Sequence, residues 1–239
     1  MNLKQSLVAV TGLAVALQFA AAGNITGKVT LNGTAPAEKP ITPLKEDATC
    51  GKLVEGTPLT KFFVVGPNKE LADVVVMLKS DSLKGKSTGA TAAPVVLDQK
   101  GCEYVPQILA VQTGQKVLAR NSDPVMHNVH TVPAAGSGNK EDNRPQGAGA
   151  ADLTFTIPAA ENFLKFKCDV HPWMFAWVTA VDHPYFAVTG KDGTFTIKDV
   201  PPGKYKIVAL HRKGAPTGIE QDIEVTADGG KADFAVEVK

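Results

Sequence analysis

The chain has 239 residues, 25 Lys+Arg against 24 Asp+Glu, a net charge of +1, 44% hydrophobic and 21% charged residues. That length supports one or two domains with a buried core, and the apolar content excludes intrinsic disorder. The balanced charge argues against nucleic acid, which demands a basic face, and no like-charged block suggests a polybasic membrane anchor.

The N-terminus reads as an export signal. Lys4 precedes an apolar run over residues 7–17, followed by Ala20-Ala21-Ala22. This is a charged start, a short apolar stretch and a small-residue cleavage site. The run is shorter than the roughly 20 apolar residues a membrane span needs. The expected mature protein begins near Gly23, carries no transmembrane anchor, and works in the periplasm or is secreted, where disulfides persist.

Beyond residue 22 almost every segment has strand character. Residues 25–31 (ITGKVTL) and 73–78 (DVVVML) are short, β-branched and bounded by turn residues. Residues 85–93 are small and polar, a flexible connection. Further strands are expected over 95–97, 108–112, 116–120, 153–157, 163–167 and 175–181. Residues 134–151 lack periodicity and read as a long surface loop. The last part offers strands at 193–197, 204–210, 221–225 and 231–238, and only residues 1–22 have helical character. The fold class is all-β.

Three cysteines allow one disulfide and one leftover, and a leftover thiol in an oxidising compartment needs a reason. Cys168, His171 and Met174 fall within seven residues as C-x2-H-x2-M. Upstream, 41 residues before Cys168, stands His127-Asn128-Val129-His130. One thiolate, two imidazoles and a weak axial thioether form the ligand set of a blue-copper electron-transfer site. Thiolate is soft toward copper, imidazole suits both oxidation states, and a distant thioether perturbs the ion without imposing a square plane. Zinc fits less well because Met is a poor zinc ligand, and haem attachment lacks its C-x-x-C-H. The remote ligand is His127 or His130.

The stretch Asn121-Ser-Asp-Pro-Val-Met-His127-Asn128-Val-His130, with the later Cys168-Asp-Val-His171-Pro-Trp-Met174, resembles the cupredoxins, amicyanin-like members most of all. The resemblance spans about residues 95–181, is specific at the ligand loop and loose elsewhere. It implies a Greek-key sandwich over residues 94–182 with one type 1 copper on His127, Cys168, His171 and Met174. It also implies that Asn128 braces the cysteine loop, with His130 beyond the ion. Donor and acceptor redox proteins would then dock at the His171 edge, on an apolar patch including Pro172 and Trp173. Cys50 and Cys102 are left to pair, closing a 52-residue loop worth about 4 kcal/mol in the chain-entropy model. His183 and His211 lack ligand-spaced companions and read as ordinary.

Near the C-terminus, Asp192-Gly-Thr-Phe195-Thr-Ile197 and Val200-Pro-Pro-Gly203-Lys-Tyr205 resemble the carboxypeptidase regulatory-like domain, a transthyretin-like sandwich. A hairpin turn at Asp192-Gly193 and a Pro-Gly turn explain the two motifs. Its missing first strands are supplied by residues 25–29 and 72–77. This implies a sandwich split into residues 23–93 and 183–239 with the cupredoxin inserted; the rival is three consecutive modules.

The expected function is a one-electron copper carrier with no catalytic residues, not an enzyme by itself. A copper oxidase or nitrite reductase would need further ligands such as H-C-H, but Lys167 and Asp169 flank Cys168. A non-redox copper-storage or envelope-interaction module is the alternative.

Overall fold

The structure is a computed structural model that describes residues 21–237. The export segment therefore lies almost wholly outside the described residues. No helix among those described is long and apolar enough to cross a membrane.

The first strands are β1 (Gly23–Asn32), β2 (Val75–Lys79), β3 (Val95–Gln99), β4 (Tyr104–Val105), β5 (Ile108–Gln112) and β6 (Lys116–Asn121). The middle of the chain gives β7 (His127–Val132), β8 (Asp142–Gln146), β9 (Leu153–Thr156), β10 (Glu161–Lys167) and β11 (Phe175–Val181). The last part holds β12 (Phe186–Val188), β13 (Thr194–Val200), β14 (Gly203–Leu210), β15 (Ile219–Val225), β16 (Gly230–Lys231) and β17 (Phe234–Glu237). The fold is all-β, as the alternating sequence predicts.

Four sheets form. Their strand orders are β13-β1-β16 with β17 beside β1, β12-β2-β14-β15, β5-β11-β10-β7-β8, and β4-β3-β6-β9. The first two share one core, which includes Ile25, Val29, Val76, Leu78, Ile197 and Ile207. The last two share another, which includes Leu97, Val117, Val129, Phe166 and Val178. Side-chain alternation explains the assignment along β1, where Ile25, Val29 and Leu31 are buried and Asn24, Thr26 and Asn32 are exposed. Gly27 lets the C-terminal segment approach: a Cβ there would lie 1.7 Å from the Ala232 carbonyl oxygen.

The two sandwiches meet through their inner sheets. Val76 and Leu78 of β2 face the first core, whereas Val75 and Met77 face a third cluster with Val208, Leu210, Ile108 and Trp177. A strand buried on both faces reads as an unbroken apolar run, which is why VVVML and IVAL lack polar alternation. Charge edges this junction: the Arg212 guanidinium sits 3.9 Å over the Trp177 ring and the Lys213 ammonium 4.2 Å over Phe62.

Three expectations need correction. Residues 134–151 are not all loop, because β8 pairs antiparallel with β7. β8 is an edge strand carrying Pro145, which an edge tolerates, and its polar sequence conceals it. A five-residue helix, α1 (Thr42–Glu46), begins with Pro43 in its first turn and buries Leu44; it is too short to show a period. Asp192-Gly193 turns the chain, with Gly193 at φ 72°, but closes no hairpin. The flanking strands join different sheets, β12 pairing β2 and β13 pairing β1.

His211 ends β14 at this junction, 4% exposed and stacked on Phe63, its Nδ1 accepting the Lys213 N–H at 3.2 Å. Burial, aided by the positive charges of Arg212 and Lys213, pushes its pKa down to about 4. A histidine depressed in the folded state stays neutral while the unfolded chain takes up its proton. Stability is therefore full above the unfolded value near 6.5 and falls as pH drops toward 4. Urea unfolding at pH 7.5 and 4.5 should show the protein losing about 2–3 kcal/mol more than a His211→Gln variant.

Candidate metal centre

His127 opens β7 directly after the turn of residues 121–126, and Cys168 follows the end of β10. Met174 precedes β11, so the loop from Cys168 to Met174 joins two neighbouring strands. Two backbone bonds close it: Cys168 N–H to the Met174 carbonyl at 3.0 Å and Met174 N–H to the His171 carbonyl at 2.9 Å. The fold thereby brings the expected upstream residue to the expected loop.

The ligand-type atoms of His127, Cys168 and His171 lie within 4.8 Å of one another, and all three residues are buried. The two Nδ1 atoms are 3.0 Å apart, and Cys168 Sγ is 3.6 Å from His171 Nδ1. Two nitrogens at that separation can both bind one ion at ordinary metal–nitrogen lengths of about 2.0–2.1 Å. Met174 is 1% exposed and packs in the same core as Cys168. The donor set, thiolate, two imidazoles and thioether, fits copper by its chemistry.

The charges of the cluster are coupled. Burial works against charge on His127, but its hydrogen bond to Asp123 and the neighbouring Cys168 outweigh it and hold the pKa at about 8. Burial would raise the Cys168 thiol, yet His127 and the backbone N–H groups of Asn128, His171 and Val170 bring it below the ordinary thiol value. His171 goes the other way, lowered by burial and by the charge on His127.

Asp123 is the residue that sequence reading missed. Its Oδ2 accepts from His127 Nε2 at 3.0 Å and from Cys102 N–H at 2.8 Å, while Oδ1 accepts from Gly101 N–H at 2.6 Å. With Nε2 committed to Asp123, Nδ1 is the His127 atom turned toward Cys168 and His171, and it can bind a metal once its proton leaves. The signal was an acid four residues before a histidine, in a turn that only tertiary structure aims.

Asn128 occupies the expected bracing position. Its Oδ1 accepts the Asp169 N–H at 2.7 Å and lies 3.3 Å from Cys168 Sγ; its Nδ2 donates to Asn143 and Asp169. His130 does not join the cluster. Two residues past Asn128 on the same side of β7, its ring bonds Asp169 through Nδ1 and Glu141 through Nε2. Asp169, also bonded by Lys167 and Asn143, is held well below the usual carboxylate range.

The surroundings of His171 differ from the expected open edge. Cys50 and Cys102 form the disulfide, and their sulfurs lie within 4.8 Å of a His171 ring nitrogen. Leu44 of α1 packs with that disulfide, and Ile41, Val54 and Trp173 pack against them. His171 is left 8% exposed. Of the two docking residues, Pro172 is exposed, but Trp173 is half-buried, donating Nε1–H to the Cys102 carbonyl at 3.1 Å. The long segment before β2 supplies this cover, and nothing in its sequence pointed there.

No protein-family model matches the chain, and no curated protein matches it. Solved structures similar to part of it include an amicyanin mutant in its Cu(I) form, 22% identical, covering 44% of this chain and 98% of that one at a TM-score of 0.33. A reduced amicyanin mutant is 25% identical with the same coverage and score. The copper-containing nitrite reductase from Thermus scotoductus SA-01 is 18% identical, covering 41% of this chain and 25% of that one at a TM-score of 0.34.

Replacing Asp123 with Ala frees the His127 tautomer and orphans two backbone N–H groups. Cu(I) affinity, read by competition with a chromophoric chelator, should fall about 10–100-fold. Converting Cys50 and Cys102 together to Ser should lower unfolding stability by about 4 kcal/mol in the chain-entropy limit, measured by denaturant titration.

Proposed function

We propose that this protein is an exported one-electron carrier that binds a single copper through His127, Cys168, His171 and Met174. The observation that carries this reading is the convergence of two imidazole nitrogens and one thiol in a buried cluster whose hydrogen bonds favour the thiolate and turn His127 Nδ1 toward it. Copper, when bound to such a set, supplies a reversible Cu(I)/Cu(II) couple. The chain's own contribution is rigidity: Asp123 orients His127, Asn128 holds the Cys168 turn, and the Cys168–Met174 backbone bonds fix the loop. A site that cannot rearrange keeps its geometry in both oxidation states, which favours rapid transfer.

The protein transforms no substrate in this reading and is not an enzyme. Redox proteins would approach the end of the sandwich that carries the ligand loop, where Met126, Val170 and Pro172 are exposed. Residues 94–182 would form the copper domain, inserted between residues 23–93 and 183–239 of a carboxypeptidase regulatory-like sandwich that orients it. Periplasmic location or secretion follows from the N-terminal signal and supports a standing disulfide.

The 8% exposure of His171 favours one rival, a copper store or deliverer in which the cover limits exchange. The two separate on spectra and electrochemistry. Adding Cu(II) to the purified protein should give an intense thiolate-to-copper visible band with narrow copper hyperfine splitting by EPR, both lost in Cys168→Ser. A fast, reversible couple supports the carrier. Protein that holds Cu(I) and resists oxidation is a store. Ordinary tetragonal Cu(II) signals unchanged in Cys168→Ser would defeat the ligand assignment.

A further inference from the structure

Beside the cluster lies a cleft of about 580 Å³, within the range of small-molecule sites. Its walls are apolar and aromatic, with Phe62, Tyr104, Trp173 and Phe175 among them. Trp173 is shared: one side lines the cleft, while its ring centroid lies 5.3 Å from that of His171.

One polar group in this cleft stands out. Asp73 is half-buried, holds a left-handed backbone at φ 60°, and lines the cavity. Among the described residues no hydrogen bond or ion pair acts on its carboxylate; burial alone pushes its pKa up. Its backbone is pinned nonetheless. Asp73 N–H bonds the Thr189 carbonyl, and the buried Thr189 hydroxyl bonds both the Leu71 carbonyl and the Val74 N–H. A carboxylate on a pinned backbone, lining an aromatic cleft and without a partner among the described residues, is free to accept a hydrogen bond from a bound molecule.

Charge narrows the ligand. Lys61 at the rim is neutralised by Glu103 at 2.6 Å, but exposed Lys39 and Lys191 remain and oppose an organic cation. Asp73 opposes an aromatic anion. A neutral ring bearing an O–H donor satisfies both.

We propose that this cleft binds a small phenolic molecule, its hydroxyl donating to Asp73 and its ring packed on the aromatic wall that includes Trp173. The binding claim rests on the cleft alone; only its link to the metal centre, through the Trp173–His171 contact, rests on the copper reading. A bound ring would lie against the side chain that touches His171, so ligand and metal centre would sense each other through Trp173.

The test uses purified metal-free protein and titrates p-cresol, toluene and benzylammonium by calorimetry, with tryptophan fluorescence as a second readout. Asp73→Gly removes the carboxylate while suiting the left-handed backbone, and Asp73→Asn retains a weaker acceptor. p-Cresol should bind, toluene at least about tenfold more weakly, and Asp73→Gly should lose that difference, because the phenolic hydroxyl donates to a charged acceptor. The fluorescence response should vanish in Trp173→Phe. Equal affinity for p-cresol and toluene, or an unchanged Asp73→Gly, overturns the role of Asp73. Tighter benzylammonium binding overturns the phenolic assignment in favour of a cation site, and no binding by any probe overturns the site itself. Because no metal is present, none of these outcomes depends on the spectra that test the copper reading.

Discussion

Two imidazole nitrogens 3.0 Å apart, with a thiol sulfur 3.6 Å from one of them, cannot all be buried and left bare. Lone pairs at that distance repel unless a proton or a cation stands between them. Much of the half of the molecule around the cluster answers that constraint. Asp123 fixes where the His127 proton sits, backbone N–H groups face the sulfur, and Asn128 anchors the turn that presents it. The core residues around the cluster, Val129, Phe166 and Ala176, are fully buried, so the strands that carry it cannot drift apart to relieve it. A cation satisfies all three groups at once, which a single proton does not.

Polar order extends outward from that point. Asn128 is tied to Asp169, Asp169 to His130, Asn143 and Lys167, and His130 to Glu141. These outer links lie near water, where each ion pair contributes little stability. Their effect is directional. They leave Asn128 one orientation, amide oxygen toward the backbone N–H groups of Asp169 and Val170 and amide nitrogen outward, so the cysteine turn has one shape. On the opposite flank Asp123 binds the backbone of Gly101 and Cys102 as well as His127. The disulfide loop and the upstream histidine are thus positioned by one carboxylate, and disturbing either is felt by the other.

How much of this was legible depended on range. The strands were readable because apolar alternation is local, and the doubly buried β2 and β14 betrayed themselves as unbroken apolar runs. The C-x2-H-x2-M loop stood out because ligand-type side chains at that spacing share one short turn, and the fold does bring Cys168 and His171 together. His127 over His130 was not decided by spacing; resemblance chose it, and the geometry puts His127 beside Cys168 and His130 against Asp169 and Glu141. Asp123 was invisible because its partners are 22, 21 and four residues away, and only the folded turn gathers them. β8 was missed because an edge strand has one partner and no core to fill, so its sequence need not alternate. Residues 41–54 were missed for a different reason: a cover held by a disulfide needs few apolar residues of its own.

That cover changes what the site can do. An open histidine edge would let a partner come within contact distance of the His171 ring. Here the disulfide, Leu44 and Trp173 stand in that position, lowering the local dielectric and strengthening every charge interaction inside. They also remove His171 from direct contact with most of the surface. Among the aromatic side chains, Trp173 both touches His171 and faces a cavity open to solvent, so an approach from the cleft side meets the centre through an indole rather than through water. The half-burial of Trp173 is then no defect of a docking patch. Its Nε1–H is bound to the Cys102 carbonyl, which fixes the ring plane between the cleft and the histidine, and a fixed ring is what a defined contact on either side requires.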